Sequence, residues 1–256
     1  QLENWAKIQA DRFANPVLRL FHTELETIYE EKNMSLTNDR RKANEAMLKA
    51  LFPHHPYGQQ TTLGEAEHLR NPSLKNIKAF HYQYYVPNNY CIAMSGDFNP
   101  DEAIKIIDKY FGKLKSKPVP EFKFEYEPEQ TTVKEVEVKG LEAAYITIAY
   151  RINAGSTSRE AMLAELTDQV LHNGSTGLID KNINQKRLVA RANSGVYGLN
   201  DYTAFMLQAF PKSNQSLDDL KTILLRQIEV LKSGNWDENI LKAAINNLRF
   251  REIKSM

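Results

Sequence analysis

Two glutamates, Glu24 and Glu31, are spaced so that they could act together in one site. They belong to the run ELETIYEEKN, residues 24–33, which carries four carboxylates. The sequence predicts that this run lies in a helix from residue 16 to about residue 33, with Asn15 as N-cap and Pro16 in the first turn. Successive helical residues turn by about 100°, so positions seven apart lie on nearly the same side, two turns from each other.

These two glutamates border the apolar face of the predicted helix. Glu26 and Glu30 fall roughly opposite that face, as expected of ordinary solvent-exposed charges. Glu24 and Glu31 fall instead at its edge, beside Leu20. The predicted apolar face consists of Val17, Leu18, Phe21, Leu25, Ile28 and Tyr29.

Distance limits the chemistry that the pair can perform. Seven helical residues rise by about 10 Å, whereas zinc–oxygen bonds measure about 2.0–2.2 Å. One metal ion could therefore bind one carboxylate directly, and the other would act from outside the ligand set or on a substrate. The same spacing is also typical of two screened charges at the rim of a buried face, and the spacing alone does not choose between these interpretations.

Other residues that could do chemistry give weaker signals. The chain has six histidines, and no two of them flank a glutamate at the spacing of a metal motif. His54 and His55 are adjacent and precede a proline, and adjacent residues rarely reach one metal. The single cysteine, Cys91, excludes a disulfide framework and a cysteine-based zinc site. Ser175 has no base at a recognisable offset, so a helix cap is the plainer interpretation.

The hydrophobic pattern predicts helices and strands that mix along the chain. Besides the helix that carries the glutamates, helices are predicted at 38–51, 71–85, 101–112, 154–172, 175–185, 216–233 and from 237 onward. Strands are predicted at 90–98, 132–140, 143–152, 188–198 and 202–210. Several strands follow one another directly, which favours an α+β fold of two-layer domains, with helices on one face of a mostly antiparallel sheet.

Composition bounds the class of protein. Lys and Arg total 33 against 32 for Asp and Glu, so there is no electrostatic footprint for nucleic acid or for a membrane surface. No apolar run is long enough to span a bilayer. The charged stretch 113–130 contains three prolines, a composition typical of a linker. The chain begins with Gln1 and shows no signal peptide, and we expect it to be a piece of a longer polypeptide.

Three runs resemble the pitrilysin/insulinase family of zinc metallopeptidases. They are ELETIYEEKN, then HPYG at 55–58, then the long run from Asn71 to Leu114. The most specific piece is YYVPNNYCIAMSGDFNPDEA followed by KYFG. The similarity is dense over 1–114 and weaker over 131–256. It implies that 1–114 is the C-terminal half of a catalytic domain, that 115–130 is a linker, and that 131–256 is the first and middle part of a second, homologous, non-catalytic domain.

The resemblance implies roles for the two glutamates. Members of this family hold zinc with an inverted motif, His-x-x-Glu-His, and with a glutamate on a later helix. That helix carries two acidic residues seven apart, the second a zinc ligand and the first an aid to catalysis. By position, Glu31 matches the ligand and Glu24 the assisting acid. Glu30 is adjacent, and a slip of one residue in the alignment would make it the ligand instead.

The sequence departs from the family pattern in two places. It contains no His-x-x-Glu-His, so two histidine ligands and the general base are missing, and we expect this chain alone to be inactive. In the second half, the run INQKRLVAR, residues 183–191, corresponds to a segment whose Arg and Tyr contact substrate in related domains. Asn184 stands where that Arg is expected and Arg191 where that Tyr is.

The resemblance leads us to expect a fragment of a zinc-dependent endopeptidase that acts on peptides or unfolded segments. The alternative is a non-catalytic structural or substrate-binding relative of such enzymes, and a structural domain unrelated to peptidases ranks third. The expected partners are a peptide substrate and the remaining domains of the same polypeptide, with no nucleic acid and no membrane. Homodimerisation is left open. We expect a soluble bacterial protein, and the sequence does not choose between cytoplasm and periplasm.

Overall fold

The computed structural model describes residues 1–255, and these form two compact units. The first comprises Gln1–Glu45 and Phe52–Val133, and the second comprises Ala46–Leu51 and the chain from Lys134 onward. Helices predominate, and one small antiparallel sheet lies in the second unit. The predicted α+β class is therefore confirmed, although residues 1–133 contribute only helices and irregular segments.

Seven helices make up the regular structure of the first unit, the third of them ending in the second unit. They are α1 (Leu2–Ala14), α2 (Phe21–Leu36), α3 (Asp39–Leu51), α4 (Pro56–Gln59), α5 (Ala66–Arg70), α6 (Leu74–Tyr84) and α7 (Pro100–Phe111). A 3₁₀ turn at Pro87–Asn89 follows α6. Side-chain caps fix the starts of α6 and α7: Ser73 accepts from the Asn76 N–H, and Asn99 accepts from the first turn of α7.

A small apolar core joins α1 to α7. Ala6 and Ala10 on α1 and Phe111 on α7 are buried there, and small residues on α1 allow the two helices to approach closely. Phe13 stacks on Tyr90 with ring centroids 5.0 Å apart. Helix α1 was not predicted, so the partner of the predicted α7 became apparent only in the structure.

The predicted helix start at Pro16 is wrong. Asn15 instead ends α1, because its backbone N–H and its side-chain amide both donate to Asp11. Leu20 has a left-handed backbone (φ 56°) that interrupts any helix running from residue 16, so α2 begins at Phe21. Val17, which the sequence analysis placed on the apolar face, lies outside the helix and is exposed.

Two predicted strands, 90–98 and 132–140, are absent from the described residues. Burial does alternate in the first segment, since Ile92 and Met94 are half-buried while Cys91 and Ala93 are exposed. Its backbone, however, makes no ladder hydrogen bond to any residue within 1–255. The pattern thus anticipated the alternation of the segment, but a strand also requires a paired neighbour.

One residue of the predicted linker is anchored in the first unit. The Glu127 carboxylate is 6% exposed and accepts hydrogen bonds from the backbone N–H groups of His54 and His55, both at 2.7 Å. The His55 ring in turn caps the short helix α4 by accepting from the Tyr57 N–H. This histidine pair therefore shapes a turn, which agrees with the interpretation that HPYG forms a loop.

The second unit contains a three-stranded antiparallel sheet in the order β1-β3-β2. Its elements are β1 (Ile146–Ile152), α8 (Arg159–Leu171), a π-helix (Asp180–Asn184), β2 (Arg191–Gly198), β3 (Thr203–Phe210), α9 (Leu217–Ser233) and α10 (Glu238–Ser255). The central strand β3 pairs Ala209 with Ile146 on one side and with Ala192 on the other. The predicted strands 143–152, 188–198 and 202–210 are thereby confirmed, with shorter ends.

A contiguous apolar core fixes the helices of this unit against the sheet. Alternate residues of β3, Phe205, Leu207 and Ala209, lie in that core together with Leu220 and Leu224 of α9. Strand periodicity of two and helix periodicity of 3.6 place these side chains on one side of their elements. In the described part of the chain, no helix is long and apolar enough to cross a membrane.

The capping box at the start of α9 provides a test of how the ends of this fold are stabilised. Ser216 accepts from the Asp219 N–H, and the Asp219 carboxylate accepts from the Ser216 backbone and hydroxyl. Those hydrogen bonds lower the pKa of Asp219. We expect Ser216→Ala to cost about 1 kcal/mol of unfolding free energy at pH 7, measured by urea denaturation.

The pH dependence follows from the direction of that pKa shift. A carboxylate with a lowered folded-state pKa stabilises the fold above its unfolded pKa and stops doing so as the pH falls through the folded value. The difference between wild type and Ser216→Ala should therefore shrink in acid below about pH 4. Ser213→Ala, at an exposed serine in the preceding turn, is the matched control, and a loss of equal size there would contradict the assignment.

Candidate functional site

The first candidate site is the outer surface of α2. Glu24 lies in the first turn of this helix, where the helix dipole favours negative charge, and Glu31 lies two turns further on. Both side chains are exposed, and neither carboxylate forms an ion pair or a hydrogen bond with any residue from 1 to 255. Both groups are therefore accessible to a ligand.

The burial of α2 defines which way the glutamates face. Lys32 and Ser35 are its buried residues, so the line through Lys32 marks the inner side of the helix. At about 100° per residue, Glu24 and Glu31 lie about 20° apart on one flank, roughly a quarter turn from Lys32. Glu30 lies on the opposite side from Lys32. Glu24 and Glu31 therefore share one flank of α2, and Glu30 lies outside it.

These residues do not form a complete metal site by themselves. Within residues 1–255, no group of three His, Cys, Asp or Glu side chains comes together in a way that could hold a metal ion. A catalytic zinc requires three protein ligands. The α2 flank can offer one carboxylate to such a site, and the described residues do not provide the remaining ligands.

Lys32 is a buried cation that the sequence analysis missed. It is 2% exposed, its Nζ lies 3.8 Å from the Glu45 carboxylate, and it donates to the Thr61 hydroxyl at 3.4 Å. The signal was present, because Lys32 follows Leu25 by seven residues and Ile28 by four and so falls on the apolar stripe. Lys32 fixes the rotation of α2 and with it the direction of the glutamate flank.

The second candidate site lies beside the π-helix of the second unit. There the Asp180 carboxylate is only 4% exposed and holds the loop that precedes it. Its Oδ2 accepts from the backbone N–H groups of Asn173, Gly174 and Gly177 at 3.0–3.2 Å. Its Oδ1 accepts from Nδ1 of His172 at 2.8 Å. Such a charge is stabilised because every neighbour donates to it.

Glycine is required at one position of this loop. A Cβ at residue 177 would come within 2.5 Å of the Leu171 carbonyl oxygen and 2.9 Å of the Asp180 carboxylate. The loop can therefore close over Asp180 only without a side chain there. Together with the carboxylate, this close approach fixes where His172 lies.

Asn184 connects the π-helix to strand β2. Its side-chain oxygen accepts from the Ala192 N–H at 2.9 Å, and its side-chain nitrogen donates to the Ala192 carbonyl at 2.8 Å. The amide thus pairs with the strand as a neighbouring backbone would. Both polar ends of Asn184 are used in this contact, so its role in the described structure is to hold two elements together.

A cavity of about 360 Å³ opens next to this framework. Asn184 and Arg191, which the sequence analysis singled out together, both line it. His172 and Asn193 contribute further polar groups to the wall. No sequence pattern marked His172 and Asp180, because they lie eight residues apart and only the loop between them brings them together.

Comparison with known proteins places the chain in a family. Residues 72–248 match the family model described as the Peptidase M16 inactive domain. This match covers more than half of the chain, and the chain therefore belongs to the peptidase M16 family. The resemblance to the pitrilysin family of zinc peptidases is thereby confirmed.

Individual relatives agree with this placement. Over 208 residues the chain is 26% identical to a protein named zinc protease PqqE from Helicobacter pylori, covering 78% of this chain and 45% of that protein. The crystal structure of a protease from Helicobacter pylori aligns with 99% of this chain and 63% of its own, at 22% identity and a TM-score of 0.79. Pitrilysin aligns with 93% of this chain and 27% of its own, at 20% identity and a TM-score of 0.65.

The chain spans only part of the length of these relatives. It spans less than half the length of PqqE and less than two thirds of the Helicobacter protease structure. The structural likeness, at identities below 25%, establishes the fold.

The buried cation on α2 gives a test of how that helix is oriented. We expect Glu45→Gln to cost about 1–3 kcal/mol of unfolding free energy, because it leaves the Lys32 ammonium buried with a weaker partner. Lys32→Met should stay within about 1 kcal/mol of wild type, because an apolar side chain of similar volume suits the site. Urea denaturation measures both variants.

Glu30→Gln, an exposed substitution on the same helix, is the control for Glu45→Gln. Equal stability of these two variants would show that Lys32 does not depend on Glu45. The observed rotation of α2 would then lose its electrostatic explanation.

The Asp180 network gives a second test, read out by hydrogen exchange. Asp180→Asn removes the charge and replaces one acceptor with a donor. We expect this substitution to lower the free energy of unfolding by about 1–3 kcal/mol. The amide protons of Asn173, Gly174 and Gly177 should exchange faster than in wild type. Asp97→Asn, at an exposed carboxylate in the first unit, should leave these rates unchanged, and unchanged rates in Asp180→Asn would overturn the network's assigned role.

Proposed function

We propose that this chain is part of a zinc-dependent endopeptidase that hydrolyses peptides or unfolded segments. The observation that carries the proposal is the α2 flank: Glu24 and Glu31 lie together, exposed and without ion pairs among residues 1–255. They do so in a chain of the peptidase M16 family whose relatives include a protein named a zinc protease.

In this proposal Glu31 is a zinc ligand and Glu24 assists catalysis. Glu31 is favoured over Glu30 because it shares a flank with Glu24, whereas Glu30 lies opposite the buried side of the helix. A catalytic zinc with three protein ligands keeps one position for water and lowers the pKa of that water. The role of Glu24 is to orient groups around the site from about 10 Å along the helix.

The proposal assigns no catalytic step to these 256 residues alone. Their sequence has no His-x-x-Glu-His, so the two histidine ligands and the general base would have to come from elsewhere in the same polypeptide. The proposed partners are accordingly those other domains and a peptide substrate. Zinc binding by this chain alone is not expected.

The second candidate function is that of a non-catalytic relative that supports or binds substrate for an active peptidase. One observation favours it: the family model that residues 72–248 match is described as an inactive domain. Cleavage of a quenched peptide by the intact protein, with and without a chelator, distinguishes the two functions. Chelator-sensitive cleavage supports the first, and absence of cleavage supports the second.

Substitutions at three glutamates of α2 test the assigned roles in the intact protein. We expect Glu31→Gln to lose most of its zinc and at least about 100-fold in turnover, because the metal loses one of three protein ligands. Glu24→Gln should keep its zinc and lose turnover. Metal analysis after dialysis and a quenched-peptide assay provide the two measurements.

Glu30→Gln is the matched control and should behave as wild type in both measurements. If Glu30→Gln loses zinc while Glu31→Gln keeps it, the ligand is Glu30 and the alignment is off by one residue. If all three variants keep both zinc and turnover, α2 does not carry the metal site.

A further inference from the structure

The cavity beside the π-helix is built around a framework whose polar groups are already paired. Asp180 faces five donors, of which the Asn184 amide is the most distant at 3.5 Å, and Asn184 also uses both ends of its amide on Ala192. Neither side chain needs a ligand to satisfy it. The buried negative charge of Asp180 is offset within the loop, so it does not by itself make the cavity acidic.

Three other groups on the cavity wall have polar atoms without a hydrogen-bond partner among residues 1–255. The Arg191 guanidinium lies over the Phe210 ring, 4.5 Å from its centroid, and forms no ion pair with residues 1–255. The Asn193 carboxamide makes no hydrogen bond with those residues. His172 uses Nδ1 on Asp180, which leaves Nε2 for a ligand. An arginine fork, an amide and an imidazole thus line one concave site.

The segment that follows Asp180 carries charge of one sign. Residues 181–191 include four cations and no acidic residue, and the cations are Lys181, Lys186, Arg187 and Arg191. Only Arg191 of these lines the cavity. Contact with the Phe210 ring restrains the Arg191 side chain, so less conformational entropy is lost when it binds a ligand. A local positive field of this kind attracts anions.

We propose that this cavity binds a carboxylate group. The guanidinium matches the planar, bidentate geometry of a carboxylate, and the Asn193 amide can donate a further hydrogen bond. A cavity of about 360 Å³ lies at the lower end of the range for small-ligand sites, about 300–1,000 Å³. The carboxylate can be the C-terminus of a peptide or part of a free dicarboxylate. This inference does not depend on the proposed zinc chemistry.

The test is direct binding to the purified chain. A short alanine peptide, labelled with fluorescein at its N-terminus, is prepared with a free C-terminal carboxylate and, as the matched ligand control, with a C-terminal amide. Fluorescence anisotropy should show at least about tenfold tighter binding of the acid, equivalent to about 1.4 kcal/mol. Equal binding of acid and amide would overturn the proposal.

Competition identifies the source of the carboxylate. Succinate and the unlabelled peptide acid are compared by the concentration that displaces the labelled peptide acid. If succinate acts at the lower concentration, the natural ligand is a free dicarboxylate. If the peptide acid does, the natural ligand is a peptide C-terminus. Both results support the carboxylate site. Displacement by inorganic phosphate but by neither carboxylate competitor would overturn it.

Substitutions locate the site. Arg191→Gln should weaken binding of the acid at least about tenfold, and Arg191→Lys should weaken it roughly threefold to tenfold because the charge remains while the planar fork is lost. Lys186→Gln removes the same charge from an exposed position that does not line the cavity, and should change affinity less than about twofold at physiological salt.

The thermal unfolding transition of each variant shows whether it is folded. The position of the binding site is tested independently by NMR of the wild-type chain. Addition of the peptide acid should shift the side-chain amide resonances of Asn193 in an NMR spectrum, and addition of the amide should not. If Lys186→Gln weakens binding as much as Arg191→Gln, or if the Asn193 resonances do not move, the cavity is not the site.

Discussion

The second unit depends on one buried carboxylate. Asp180 is 4% exposed, yet it accepts three backbone N–H groups and one imidazole N–H. An isolated buried charge would be costly, and the loop before the π-helix avoids that cost by turning its donors inward. The absence of a side chain at Gly177 permits this turn. The closed loop fixes the positions of His172 and of the π-helix.

Hydrogen bonds connect this loop to the sheet through the π-helix. The π-helix begins at Asp180 and ends at Asn184, and the Asn184 amide pairs with the backbone of Ala192 in β2. Strand β2 pairs with β3, whose alternate residues lie in the core against α9. Wide helical turns are frequent at functional sites because they re-aim side chains. Here the wide turn places a cavity between its own residues and the start of β2.

The first unit also contains a buried charge that lies near polar partners, and here the charge is a cation. Helix α2 has an apolar stripe that includes Lys32, whose charge lies near Glu45 and the Thr61 hydroxyl. A lysine in that position defines the inner side of the helix more narrowly than apolar residues do, because its ammonium group must reach polar partners. Glu24 and Glu31 follow from this orientation as a pair on one flank. The flank is available to a ligand, although the described residues supply only part of a metal site.

The sequence predicted most elements whose signals are local. Residue periodicity identified α3, α6 to α9 and the three strands of the sheet. In the structure four of these helices are preceded by a capping side chain that accepts from a nearby backbone N–H: Ser73, Asn99, Ser158 and Ser216. The prediction failed where an alternative local contact won. Asn15 was expected to start a helix, and instead its side chain and its backbone N–H end the preceding one on Asp11. Leu20 was expected inside a helix, and its left-handed backbone breaks it.

The sequence by itself determined the spacing of Glu24 and Glu31, the α+β pattern and the resemblance that the family match confirms, because these properties reside in residue types and their order along the chain. Only the tertiary structure decided that Asp180 lies against His172 and that Asn184 and Arg191 line one cavity. Each of those contacts depends on hydrogen bonds between backbone groups of one segment and side chains of another. Such bonds leave no periodic trace in the sequence, since any residue provides the backbone N–H. For the same reason residues 90–98 alternate like a strand without forming one: alternation is encoded locally, whereas pairing requires a neighbouring strand.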